Sequence, residues 1–166
     1  MSSRFLLDTN VIITGFHTYP PDVFPGYWKL LETLRSTGRL LVCKSVYDEL
    51  KPAGDAASDW VRNTFPSSDI LQVTDDTLAW NAAVVQWAFN KSRPKYTLEA
   101  LLDFADETKA DSWLVAHAKE HALTILTNET SSPSKQTVVK IPDAAHSQGI
   151  ECVSMIELLR SEAVTF

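Results

Sequence analysis

Phe5-Leu6-Leu7-Asp8-Thr9-Asn10-Val11-Ile12-Ile13 decides how this chain is read. Three large apolar residues in succession describe a short strand buried on both faces, the signature of a parallel sheet rather than of a sheet with one wet side. The strand ends on the polar trio Asp8-Thr9-Asn10, and Val11-Ile12-Ile13 continues into a helix or tight turn. A carboxylate at the carboxyl end of such a strand stands where α/β sheets place their sites.

The same alternation repeats outward from this point. Residues 17–25 hold three prolines and read as a loop, since each proline removes a donor and restricts its predecessor. Residues 26–36 carry Trp28, Leu31, Leu34 and Arg35 at helical spacing, with Gly38 marking the end. Leu40-Leu41-Val42-Cys43 is a second strand, followed by a helix with Ser45 as its expected N-cap and Pro52 near its stop. Residues 55–65 predict another helix, and Ile70-Leu71-Gln72-Val73 a third strand. A long helix over 77–90 is expected, capped by Asp75 or Asp76, then a basic break at Ser92-Arg93-Pro94-Lys95 and a short helix over 98–104. The clearest helix covers 110–122 and leads into the strand Thr124-Ile125-Leu126-Thr127. Residues 128–136 are polar loop, 138–142 are expected to be extended, Glu151-Cys152-Val153 is a last strand, and 155–160 is a terminal helix. Strands alternating with helices imply an α/β fold with a mainly parallel sheet covered on both faces, in one domain spanning 1–166.

Composition narrows the classes further. With 45% hydrophobic and 22% charged residues, 166 residues suffice for a continuous core. No stretch approaches the roughly 18–20 apolar residues of a membrane helix. Met1-Ser2-Ser3-Arg4 runs straight into the first strand without the features of a signal peptide, so a cytoplasmic protein is expected. A net charge of −6 argues against binding nucleic acid by bulk electrostatics, but is nearly neutral on an acidic metal site. Cys43 and Cys152, each within an apolar run, are expected to be buried free thiols.

Asp8, Glu49, Asp111 and Glu129 all fall near strand ends or helix starts. Each has an ordinary alternative: Asp8 and Asp111 as helix caps, Glu49 as a solvated helix residue, and Glu129 as a loop residue without a role. Asp111 is the most telling, because it falls in phase with Leu114, Val115, Ala118 and Ala122 at about 100° per residue. A helix N-terminus also favours its negative charge. Crowded carboxylates raise one another's pKa, and a hard divalent cation relieves that repulsion by taking oxygen ligands. Such an ion activates water and stabilises a phosphoryl transition state, which suits phosphodiester hydrolysis.

Leu6-Leu7-Asp8-Thr9-Asn10-Val11-Ile12-Ile13 resembles the opening motif of PIN domains. Val46-Tyr47-Asp48-Glu49-Leu50, Ala110-Asp111-Ser112-Trp113-Leu114-Val115-Ala116-His117-Ala118 and Ile125-Leu126-Thr127-Asn128-Glu129 resemble the second, third and fourth, in the family's order. Pro25-Gly26-Tyr27-Trp28 and Lys140-Ile141-Pro142 are similar to a PIN-like group of bacterial proteins designated DUF4411. The resemblance implies a three-layer α/β/α sandwich and Mg²⁺- or Mn²⁺-dependent endoribonuclease activity. Asp8, Glu49 and Asp111 carry over as metal-binding acids. Glu129 stands where the family usually has Asp, with Asn10 and Thr127 as supporting polar groups and Asp106 as an additional acid near Asp111. Many bacterial PIN proteins are toxins restrained by an antitoxin, so the implied partners are an RNA substrate, an antitoxin and a second copy of the chain.

Three other readings compete. A PIN-like fold that binds RNA or protein without cutting would draw basic contacts from Lys91, Arg93 and Lys95, or from Lys135 and Lys140. His117-Ala118-Lys119-Glu120-His121 matches the inverted zinc-protease pattern H-x-x-E-H, but helical phase puts both histidines on the flank of their helix, and no third ligand presents itself. A haloacid-dehalogenase-like phosphatase would need its second acid at Asn10. The five tryptophans are expected to pack in cores rather than stack on bases.

Overall fold

The computed structural model describes residues 3–163. Strand β1 (Phe5–Leu7) is buried along its whole length, as its apolar run requires. Helix α1 (Thr9–Thr18) follows at once from Asp8, and the chain turns before α2 (Pro25–Ser36), whose proline sits in its first turn where no N–H is needed. Strand β2 (Leu40–Cys43) leads into α3 (Lys44–Leu50), a 3₁₀ turn over Lys51–Ala53 and α4 (Ala56–Thr64). After β3 (Ile70–Leu71) come three helices, α5 (Asp75–Asn90), α6 (Leu98–Phe104) and α7 (Asp111–His121). Strand β4 (Thr124–Leu126), α8 (Ile141–Ser147), β5 (Cys152–Val153) and α9 (Met155–Ser161) complete the described chain.

The five strands form one parallel sheet in the order β3-β2-β1-β4-β5. β1 is central: Phe5 and Leu6 pair with Leu40 and Leu41 of β2, and Phe5, Leu6 and Leu7 pair with Thr124, Ile125 and Leu126 of β4. The chain winds outward from β1 to β3 and then crosses back to lay β4 on the other side of β1. Right-handed crossovers in these two directions put their helices on opposite faces, which gives the α/β/α sandwich. Helices α1, α3 and α4 pack on one another, and α5, α7 and α8 form the second group. Open α/β sheets place their crevices at such a reversal, which here falls at the carboxyl ends of β1 and β4.

Packing explains several departures from the sequence expectations. The cap of α5 is Thr74, not Asp75 or Asp76: its hydroxyl accepts from the Thr77 N–H, and the Thr77 side chain reaches back to the Thr74 N–H. Ser45 lies inside α3, which starts directly from Cys43. Residues 138–142 are not all extended, because Ile141 begins α8 and Pro142 occupies its first turn. His17, expected in a loop, belongs to the last turn of α1. Ala122 does not join the apolar face of α7; it is exposed and left-handed (φ 52°) at the C-cap.

Trp28 is buried against Phe16, Tyr27 and Trp60, tying α1, α2 and α4 together. Gly15 makes this approach possible, since a Cβ there would stand 3.1 Å from the Tyr27 hydroxyl and 3.3 Å from the Trp28 ring. Trp60 and Trp87 pack against the same core, whereas Trp80 is exposed. Cys43 and Cys152 are both free, and burial pushes each thiol up to about 12. Among the described residues no helix is long and apolar enough to cross a membrane.

Candidate acidic active site

Asp8 follows β1 at the carboxyl end of the strand, where the sheet order reverses, and is 3% exposed. Its backbone N–H still donates to the Leu126 carbonyl, so the β1–β4 ladder itself fixes where the carboxylate starts. The Thr127 hydroxyl, one residue past β4, donates to Asp8 Oδ2 at 2.6 Å. Asn10 completes this link, donating from Nδ2 to Thr127 Oγ1 at 3.4 Å and accepting the Asn128 N–H at Oδ1. The expected supporting residues Asn10 and Thr127 thus sit beside Asp8, bridging the two strands where the sheet order reverses.

Glu49 reaches the same end of the sheet from α3. Its Oε2 accepts the Thr9 hydroxyl at 2.7 Å, and its Oε1 accepts the Ala110 N–H at 2.8 Å. One carboxylate therefore joins the start of α1 to the start of α7. Neighbouring Asp48 points away and pairs with Lys44. Asp111, half-buried in the first turn of α7, is held by no hydrogen bond to its carboxylate among the described residues.

Burial and mutual repulsion act together here. Asp8 is raised to about 6, chiefly because burial strips water from its charged form; the Thr127 hydrogen bond opposes this, and Glu129 and Glu49 add repulsion. Asp111 is raised to about 7 by burial first and then by the charges of Asp8, Glu129 and Glu49. Glu129 is anchored differently: Lys140 Nζ donates to Oε1 at 3.1 Å and the Ile141 N–H donates to Oε2 at 2.9 Å. It caps α8 while contributing negative charge to the crevice.

A family model described as "Domain of unknown function (DUF4411)" matches residues 5–166. The chain belongs to the DUF4411 family. No curated protein sequence matches it. Its fold is similar to the crystal structure of FitAcB from Neisseria gonorrhoeae, with a TM-score of 0.55 and 15% sequence identity, covering 92% of this chain and 98% of that one. At that identity the likeness is one of architecture, and the site of this DUF4411 protein rests on its own residues.

Asp106 does not turn toward the four acids; its carboxylate accepts the N–H and hydroxyl of Thr108. The basic residues weighed as RNA contacts divide as well. Lys91 donates to the Pro133 carbonyl and lies over the Tyr96 ring, and Lys140 is committed to Glu129. Two features escaped the sequence reading. Asp143 is buried and accepts from Ser131 Oγ and the Ser132 N–H, pinning the loop after β4 onto α8. A cleft of about 530 Å³ beside that loop is lined by Trp87, Lys91, Pro133, Asp143 and His146, and none of the four acids borders it. The flank position expected for the histidines of α7 is also corrected: His117 is fully buried, because α5 packs on the side of α7 turned from the sheet.

Proposed function

We propose that this DUF4411 protein is a metal-dependent endoribonuclease that hydrolyses RNA phosphodiester bonds and acts as the toxin of a toxin–antitoxin pair. The observation that carries the reading is the mutual repulsion of Asp8 and Asp111, two desolvated carboxylates raised to about 6 and about 7 near the reversal point of a parallel sheet. A buried and a half-buried carboxylate that repel one another are costly without a cation, and hard oxygen donors of this kind fit Mg²⁺ or Mn²⁺. Asp8 and Asp111 would hold the ion, with Glu49 and Glu129 at its margin. A divalent cation held there would supply charge stabilisation for the scissile phosphate and a water of lowered pKa. Thr127 orients Asp8, and Thr9 with the Ala110 N–H orients Glu49, so neither carboxylate must reorganise when substrate arrives. The toxin role rests on the PIN resemblance of the four motifs.

The expected result is RNA cleavage with added Mn²⁺ or Mg²⁺, stopped by chelator and abolished in Asp8→Asn and Asp111→Asn proteins that remain folded. Cleavage persisting in highly purified Asp8→Asn protein would defeat the assignment. A second reading is favoured by one contact. Lys140 already offsets part of the charge on Glu129, which lessens the need for a cation there and suits a PIN-like module that binds RNA or protein without cutting. Calorimetry separates the two, since such a module shows no Mg²⁺ or Mn²⁺ binding dependent on Asp8 and Asp111. Growth arrest on expression, relieved by Asp8→Asn, tests the toxin role.

A further inference from the structure

The H-x-x-E-H segment of α7 forms a second cluster of donor atoms, apart from the four acids. One ligand atom each from His117, Glu120 and His121 lies within 4.8 Å of the other two. His117 is 0% exposed, and neither of its ring nitrogens has a hydrogen-bond partner in the structure. The Nε2 of His121 is buried and unpartnered as well. Leaving buried polar atoms unsatisfied is unfavourable by about 1–3 kcal/mol for each group. A neutral imidazole offers one nitrogen lone pair, so His117 and His121 together present two lone pairs on adjacent turns of one helix, which point to a missing electron-pair acceptor.

The geometry suits one. The two imidazole rings are nearly parallel (9° between planes) with centroids 6.1 Å apart, the separation that i and i+4 positions give on one helix face. Glu120 Oε2 lies 3.8 Å from His121 Nε2. Donor pairs across a tetrahedral zinc site stand about 3.4 Å apart for bonds near 2.1 Å, a contraction within reach of side-chain rotation. The carboxylate is already aimed, because Thr74 Oγ1 donates to it at 2.8 Å and Thr77 Oγ1 donates to its other oxygen. Hydrogen bonds of this sort orient the ligating residues of metal sites.

We infer that His117, Glu120 and His121 bind a zinc ion that fastens α7 to the capped start of α5. Two imidazoles and one carboxylate are borderline donors that favour Zn²⁺ over Mg²⁺, which separates this site from the oxygen-only centre at Asp8 and Asp111. Its position also fits a structural role. Thr74 and Thr77 form the capping box of α5, so a metal-held Glu120 would couple that cap to the helix carrying Asp111.

The test uses full-length protein stripped with chelator and carrying Asp8→Asn and Asp111→Asn, so that success or failure here is independent of the acidic centre. Calorimetric titration with Zn²⁺ should show one site per chain, with a zinc-dependent rise in melting temperature. His121→Ala, at a half-buried position, should weaken that site at least tenfold. His117→Leu, which keeps an apolar side chain in the buried space, should do the same, with circular dichroism verifying the fold of each variant. Absence of zinc binding in the double variant, or unchanged affinity in folded His121→Ala protein, would overturn the inference.

Discussion

Asp8 and Asp111 set the behaviour of the crevice one proton at a time. An ordinary unfolded-chain carboxylate titrates near 4, whereas these two are raised to about 6 and about 7. Between those limits the folded, metal-free protein binds more protons than the unfolded chain, so these acids withdraw stability as pH rises. His117 acts in the opposite sense: lowered to about 4 from an ordinary value near 6.5, it withdraws stability as pH falls through that interval. Two carboxylates outweigh one imidazole. Chelator-treated protein is therefore expected to melt higher near pH 5 than near pH 7.5, and Asp8→Asn with Asp111→Asn should flatten or reverse that slope. Identical pH–melting profiles for wild type and double variant would refute the coupling. Thr127→Val should remove the hydroxyl that donates to Asp8 and destabilise the metal-free protein by about 1–3 kcal/mol near pH 7.5, measured by denaturant titration.

At the scale of elements, each helix start governs one part of the site. Glu129 both caps α8 and charges the crevice, and two substitutions separate the roles. Glu129→Ala should raise amide exchange across Ile141–Ser147 and cost about 1 kcal/mol. Glu129→Gln keeps an acceptor for the Ile141 N–H and should leave exchange unchanged while slowing RNA cleavage. At Gly15 the gain in helix propensity on adding a methyl is smaller than the overpacking against Tyr27 and Trp28, so Gly15→Ala should destabilise by about 1–3 kcal/mol in thermal melts.

The elements were unequally legible in the sequence. β1, β2 and β4 announce themselves because strands buried on both faces leave unbroken apolar runs. Helix α8 did not, because Pro142 reads as an interruption when it is in fact a first-turn residue. The burial of His117 was hidden for a related reason. Helical phase locates the face toward the sheet, but not a second face covered by α5, a contact between separate helices that leaves no local sign in the sequence of α7. Asp8 and Asp111 were visible from strand-end position and phase. The contacts between Glu49 and the Ala110 N–H, or between Glu129 and Lys140, join residues distant in sequence and carry no local signal.

For the whole molecule, the crevice exists because the strand order reverses between β1 and β4. Saturating Mg²⁺ should raise the melting temperature of the wild type at pH 7.5 and leave Asp8→Asn/Asp111→Asn protein unmoved, since only a ligand that binds the folded state stabilises it. Failure of Mg²⁺ to separate the two proteins would count against a metal centre at the reversal.

The pairing of β1 with β4 also orders events during synthesis. Asp8 precedes Thr127 by 119 positions in the chain, so its strand gains β4 as a neighbour, and its carboxylate gains Thr127, only after residues 124–127 have emerged. A nascent chain paused at residue 123 already carries Asp8, Glu49 and Asp111 but lacks the strand that closes the crevice beside them. Synthesis therefore separates the making of these three acids from the closing of the sheet beside them, and the cluster is complete only once residues 124–127 have joined β1.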